Sequence, residues 1–190
     1  MKPRIIYLDM DDVCVDFVSA YLKLIGSPLK RHQINTWSLA EATGLTDEEF
    51  WDKIDAAGVM FWEELPVLPW FQDLYQLCME WSKGNVVFLT NPTNSPYAAA
   101  GKLWWIRHNF GKDFKNWIFT SEKHLIGSTG DVLIDDSERN INKWTGQTQE
   151  ERLVNGKRGI LFPAPWNSLS ELSADPMAHV RKRLLFQFSC

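Results

Sequence analysis

Apolar residues fall in short runs that end abruptly in polar side chains, and this pattern organises the 190-residue chain. The run Ile5-Ile6-Tyr7-Leu8 is short and rich in β-branched and aromatic residues, which reads as a buried strand, and it stops at Asp9-Met10-Asp11-Asp12. Val15, Val18, Tyr21, Leu22 and Ile25 then recur at helical spacing, and Gly26 with Pro28 closes that helix. Further strands are predicted at 86–89, 117–120, 132–135 and 159–162. Between them run two helical patterns. One carries Phe71, Leu74, Tyr75, Cys78 and Trp81, with Pro69 in its first turn and Gly84 at its end. The other starts behind Ser95-Pro96, with a stripe of Ala100, Leu103, Trp104 and Arg107, and stops at Gly111. Strands alternating with helices predict an α/β fold with a doubly wound parallel sheet.

Residues 27–66 interrupt this alternation. Ser38 precedes Leu39-Ala40-Glu41, and Thr46 is followed three residues later by Glu49, a capping-box pattern. Two short helices are expected there, as a small cap inserted after the first strand-helix unit. The core then comprises 1–26 and 67–190. The insertion is aromatic, with Trp37, Phe50, Trp51, Phe61 and Trp62. From Pro176 the tail turns basic and then apolar (Leu184-Leu185-Phe186-Gln187-Phe188). It is expected to dock on the domain or on a partner subunit in a homodimer.

Composition narrows the setting. With 45% hydrophobic and 23% charged residues the chain is ordinary for a globular protein. A net charge of −4 speaks against duplex nucleic acid as a partner, because that partner selects a basic face. Cys14, Cys78 and Cys190 are odd in number and widely spaced, which suits free thiols in a reducing, cytoplasmic setting. No apolar run reaches the roughly 18 residues of a membrane helix, and Asp9 breaks the first apolar run, so neither an anchor nor a signal peptide is expected.

The chemistry lies where the strands end. In an open parallel sheet, ligands collect beyond the carboxyl ends of the strands. Asp9 there is a candidate nucleophile toward phosphorus, with Asp11 two residues on to protonate the leaving oxygen and then activate water. Magnesium favours hard oxygens; Asp9, the main-chain carbonyl of Asp11 and one carboxylate of Asp135-Asp136 would supply them. Thr90 and Asn91 end the second strand with a hydroxyl, an amide and main-chain N–H groups suited to phosphate oxygens. Lys123, after the run Trp117–Thr120, adds a cation. The alternative for each piece is bland: an acidic turn, an Asn-Pro turn or a solvated lysine. Phe17 and Trp37 flank the catalytic loop and the cap entrance, where an aromatic ring can stack on a base.

The order Asp-x-Asp, Thr, Lys, Asp-Asp resembles the four-motif signature of the haloacid dehalogenase superfamily. Asp9-Met10-Asp11-Asp12-Val13, Asp16-Phe17, Phe61-Trp62-Glu63-Glu64-Leu65-Pro66, Leu89-Thr90-Asn91-Pro92, Thr120-Ser121-Glu122-Lys123 and Leu133-Ile134-Asp135-Asp136 are similar, more closely, to the cytosolic and mitochondrial 5′(3′)-deoxyribonucleotidases. The resemblance covers most of residues 4–165. It implies a Rossmann-like core and a Mg2+-dependent phosphatase for deoxyribonucleoside monophosphates. It places the metal on Asp9, Asp11 and Asp136, phosphate on Thr90 and Lys123, and the nucleoside against Phe17 and Trp37. Three departures stand out: Asp12 replaces the usual glycine, Asn91 replaces a serine, and Gly127-Ser128-Thr129-Gly130 lengthens the gap before Asp135. The rival readings are the same chemistry on a sugar phosphate or a polynucleotide end, and a non-catalytic nucleotide-binding protein.

Overall fold

The computed structural model describes residues 4–188. Five parallel strands, β1 (Ile6–Leu8), β2 (Val86–Thr90), β3 (Trp117–Phe119), β4 (Val132–Asp135) and β5 (Arg158–Leu161), form one sheet in the order β3-β2-β1-β4-β5. The last strand ends one residue earlier than its apolar pattern suggests. In register, Ile6 lies between Val86 and Val132, so the apolar runs stack side by side. Successive strand residues point to opposite faces: Ile6, Leu8, Phe88 and Ile134 enter the larger core, while Tyr7, Leu89 and Leu133 pack on Trp144 behind the sheet. Both faces are covered, as a parallel sheet requires.

The chain leaves β1 for β2 and β3 on one side, then returns to place β4 and β5 on the other. The strand order therefore reverses beside β1, the position where such sheets open a ligand crevice. Asp9 follows the strand that makes this switch.

Eight α-helices are described: α1 (Phe17–Leu24), α2 (Leu39–Thr43), α3 (Asp47–Glu63), α4 (Phe71–Ser82), α5 (Ala98–Phe110), α6 (Glu138–Thr145), α7 (Gln149–Asn155) and α8 (Pro176–Phe188). The capping box at Thr46 and Glu49 forms and starts α3. This helix is not short: it runs 17 residues, kinked where Gly58 takes a φ of 67°. Its second half packs so closely on α5 that a Cβ at Gly101 would lie 2.4 Å from Trp62 Cβ and 2.7 Å from the Val59 carbonyl. Pro69 stands before α4 rather than inside its first turn.

The stripe expected on α5 is out of phase. Its buried residues are Ala98, Gly101, Lys102, Trp105 and Ile106, while Trp104 is exposed. The helix carries apolar residues on several sides, and a lysine at the centre of the true inner face hides that face from pattern reading.

Val180 and Leu184 of the tail are buried against the domain, while Phe186 is exposed. The side chains of Gln187 and Phe188, and Cys190, lie outside the described residues. Cys14 and Cys78 are free and buried. Among the described residues, no helix is long and apolar enough to cross a membrane.

Candidate active site

A cavity of about 950 Å3 opens between the carboxyl ends of the strands and segment 34–62. Seven residues singled out from the sequence share its wall: Asp9, Asp11, Phe17, Trp37, Asn91, Lys123 and Asp136. Thr90 is fully buried one layer behind.

Asp9 is held rigidly. Its N–H donates to the Ile134 carbonyl (3.0 Å), extending the sheet ladder by one residue. Its carbonyl accepts from the Cys14 thiol (3.1 Å), and its Oδ1 accepts from the Met10 N–H (2.8 Å). Lys123, from the short helical turn Lys123–Leu125, sets its ammonium 2.8 Å from Asp9 Oδ1 and 2.6 Å from Asp135 Oδ2. The two carboxylates keep this buried lysine protonated, raising its pKa against the desolvation that would lower it.

At the end of β4 the backbone turns, and Ser137 caps α6 by accepting from the Asn140 N–H (3.3 Å). That turn brings both members of the acidic pair to the site. Ligand oxygens of Asp9, Asp135 and Asp136 lie within 4.8 Å of one another. Asp135 is heavily engaged, accepting from Lys123, from the Ser137 N–H (2.9 Å) and from the Asn140 amide. Asp136 is different: its Oδ2 accepts from the neutral Trp166 indole (2.8 Å). Burial first, then the carboxylates of Asp135, Asp12 and Asp9, push Asp136 well above the usual carboxylate range.

Asp12 takes a φ of 60°, in the left-handed region where glycine is the default and aspartate is tolerated. An aspartate thus stands in a conformation that glycine usually takes. Its carboxylate accepts from the Val18 N–H (3.2 Å) and pairs with Arg31 Nη1. Arg31 also pairs with Asp16 (3.0 Å), donates to the Asp12 carbonyl (3.2 Å) and lies over the Trp166 ring (4.7 Å). The Asp12 carboxylate, three residues beyond Asp9, is therefore tied through Arg31 to segment 27–66.

Phe17 belongs to an aromatic cluster: it stacks on Trp62 (5.5 Å, 27°) and meets Phe61 edge-on (5.7 Å). Trp37 is 62% exposed at the cavity mouth. The Asn91 side chain is exposed and its Oδ1 accepts from the Thr93 N–H (2.8 Å), the local bond of an Asn turn.

Arg31, Asn140 and Trp166, placed above, were not read from the sequence, and neither was a fourth residue of the site. Lys102, wholly buried on α5, donates to Asp11 Oδ2 (2.6 Å), Thr90 Oγ1 (3.0 Å) and the Asn91 carbonyl (2.7 Å). The available signal was its place four residues from both Ala98 and Ile106, which puts it on their face of the helix.

The chain is similar in fold to a crystal structure titled a HAD family hydrolase from Deinococcus radiodurans R1 with bound phosphate and sodium, at 14% identity and a TM-score of 0.53, covering 98% of this chain and 97% of that one. A hydrolase from Streptococcus pneumoniae TIGR4 aligns at 15% identity and a TM-score of 0.46, covering 92% and 98%. No curated protein matches. The model of the family described as 5′ nucleotidase, deoxy (Pyrimidine), cytosolic type C protein matches residues 3–181. With nearly the whole chain inside that match, and acidic strand ends around one cavity, this chain belongs to that nucleotidase family and is a phosphomonoesterase of the haloacid dehalogenase superfamily.

Proposed function

We propose that the protein hydrolyses deoxyribonucleoside 5′-monophosphates, with Mg2+ as its metal, through a phosphoryl group carried transiently on Asp9. The observation that carries this reading is a single cavity lined both by Asp9 and Asp11 and by Phe17, Trp37, Phe50 and Trp51. Its volume suits a nucleotide. Segment 27–66 acts as the cap and supplies Trp37, Phe50 and Trp51, while Phe17 comes from α1.

The residues present fit a divalent cation. Asp9, Asp135 and Asp136 offer hard carboxylate oxygens, and Asp136 is buried facing three other acids, an arrangement that costs free energy until positive charge offsets it. Asp9, Asp136 and the main-chain carbonyl of Asp11 would hold the ion, with Asp135 occupied in fixing Lys123. When bound, the ion neutralises charge on the phosphoryl oxygens.

An Asp9 carboxylate oxygen attacks phosphorus, and the bond from phosphorus to the 5′ oxygen breaks with its electron pair leaving on that oxygen. Asp11 gives the oxygen a proton, so the nucleoside departs as an alcohol. Water then attacks the aspartyl-phosphate while Asp11 takes its proton; phosphate leaves and both carboxyl groups return to their starting state. Lys123 and Asn91 would face the phosphate oxygens, with Thr90 one layer behind. Residence in the cytoplasm accords with the free thiols of Cys14 and Cys78.

A panel of deoxynucleoside, ribonucleoside and sugar monophosphates tests the substrate class. The expected result is highest kcat/KM for deoxynucleotides; a sugar phosphate that matches them removes the nucleotide reading. Losing roughly 1–3 kcal/mol of base stacking corresponds to about a 5- to 150-fold drop in kcat/KM. Trp37→Ala should show that loss on deoxynucleotides and leave 4-nitrophenyl phosphate nearly untouched. Equal losses on both would make Trp37 a structural part of the cap.

Magnesium binding should also depend on pH. Burial raises Asp135 to about 6, with Lys123 opposing, and burial with the neighbouring acids raises Asp136 well above the usual carboxylate range; in an unfolded chain such groups titrate near 4. A carboxyl that binds its proton more tightly when folded contributes stability that is complete below about pH 4 and is lost as pH rises through about 6. The metal competes with those protons and replaces what is lost. The rise in Tm on adding MgCl2 to chelator-treated protein should be larger at pH 7.5 than at pH 5. A rise independent of pH would place the ion away from these acids.

A further inference from the structure

The geometry points to Lys102 as the positioning residue that holds Asp11 for proton transfer to the leaving group. This inference rests on the roles proposed for Asp9 and Asp11.

An ammonium has three N–H donors, and Lys102 has three acceptors within 3.0 Å. Two of them, Thr90 Oγ1 and the Asn91 carbonyl, sit at the carboxyl end of β2 and are fixed by the sheet: the Thr90 carbonyl accepts from the Thr120 N–H (3.0 Å), in line with the β2–β3 ladder. The third is Asp11 Oδ2, on the loop after β1. The lysine therefore ties a loop carboxylate to the framework of the neighbouring strand. Its own stem is immobilised, because α5 is clamped on α3 at Gly101 and the ammonium lies 5.0 Å from the centre of the Trp62 ring. Lys102 lines no part of the cavity wall. It acts from behind Asp11.

The pairing also distinguishes the two oxygens of Asp11. Oδ2 accepts from the ammonium, which disfavours a proton on that atom. Oδ1 is buried and has no hydrogen-bond partner among the described residues. Lys102 keeps the carboxyl from rotating to exchange the two.

A leaving group that needs no proton should be indifferent to this device. The test compares benzyl phosphate, whose departing alkoxide must be protonated, with 4-nitrophenyl phosphate, which departs as a stable phenolate; neither carries a base, so substrate recognition does not enter. Rapid-quench measurement of the first turnover isolates leaving-group release from hydrolysis of the aspartyl-phosphate. Lys102→Met should slow release from benzyl phosphate by about 10²-fold or more, the lower end of a general-acid contribution, and release of 4-nitrophenolate less than about tenfold, with KM for both within about threefold of wild type. In the Asp11→Asn background the same substitution should add little, since residues acting through one another are non-additive. Equal slowing of both leaving groups, or full additivity with Asp11→Asn, would overturn the assignment. Lys102→Gln, which keeps N–H donors without charge, is measured in parallel and should fall between Met and wild type; it carries the comparison if the Met variant is not folded by circular dichroism. The outcome is separable from failure of the parent reading. If Asp9→Asn releases either leaving group at the wild-type rate, the nucleophile assignment fails whatever Lys102 does.

Discussion

Asp9→Asn is expected to abolish turnover, by on the order of 10³-fold or more as for other nucleophile deletions, while the protein stays folded. An amide cannot form the phosphorylated intermediate, since it is a poor nucleophile toward phosphorus. The fold survives because what fixes Asp9 is main-chain: its N–H on the Ile134 carbonyl and its carbonyl under the Cys14 thiol. What the variant loses is charge, leaving Lys123 with Asp135 as its anionic partner. Beryllium fluoride with magnesium, which mimics an aspartyl-phosphate, should attach to Asp9 in the wild type and not in the variant. Residual activity above a few per cent of wild type, with fluoride seated elsewhere, would take the nucleophile role from this residue.

The second large effect is expected at the acidic pair ending β4. Asp136→Ala should weaken magnesium binding by about tenfold or more and depress kcat/KM in parallel, whereas Asp135→Ala should change magnesium affinity less and stability more. The difference follows from their partners. Asp135 accepts from Lys123, the Ser137 N–H and Asn140, so its removal orphans buried donors, each costing about 1–3 kcal/mol. Asp136 has a neutral indole as donor and three acids as neighbours, so removing it relieves repulsion and deletes a cation ligand. Calorimetric titration with MgCl2, beside thermal melts of the chelator-treated variants, checks both halves. An equal or inverted order in the titration would move the metal to Asp135.

Much of this site was legible because its chemistry is local. A strand that stops at Asp9-Met10-Asp11 shows both the apolar run and the carboxylates that terminate it, and the same holds for Leu133-Ile134-Asp135-Asp136. The capping box at Thr46 and Glu49 was equally plain, since its partners are three residues apart. Errors arose where periodicity was ambiguous. On α5, apolar residues occupy several faces and Lys102 breaks the inner one, so periodicity alone points to Ala100, Leu103, Trp104 and Arg107 instead of Ala98, Gly101, Trp105 and Ile106. A polar residue at a core position is where pattern reasoning fails, and here it stands at the site.

The sequence by itself determined the α/β alternation, the places where strands end and the residue types waiting there, because these follow from side-chain periodicity and from what a strand terminus exposes. Only the tertiary structure decided the order β3-β2-β1-β4-β5, which sets β1 at the reversal and brings Asp9 to Asp135 and Asp136 across more than a hundred residues of chain. It also decided that the backbone turns after Asp135 so that both acids reach the cluster, that Arg31 neutralises the extra acid at Asp12, and that a lysine from α5 reaches Asp11. The physical reason is common to all three. Ion pairs and buried hydrogen bonds join groups by distance in space, and a buried charge is stable only where a remote segment supplies its partner.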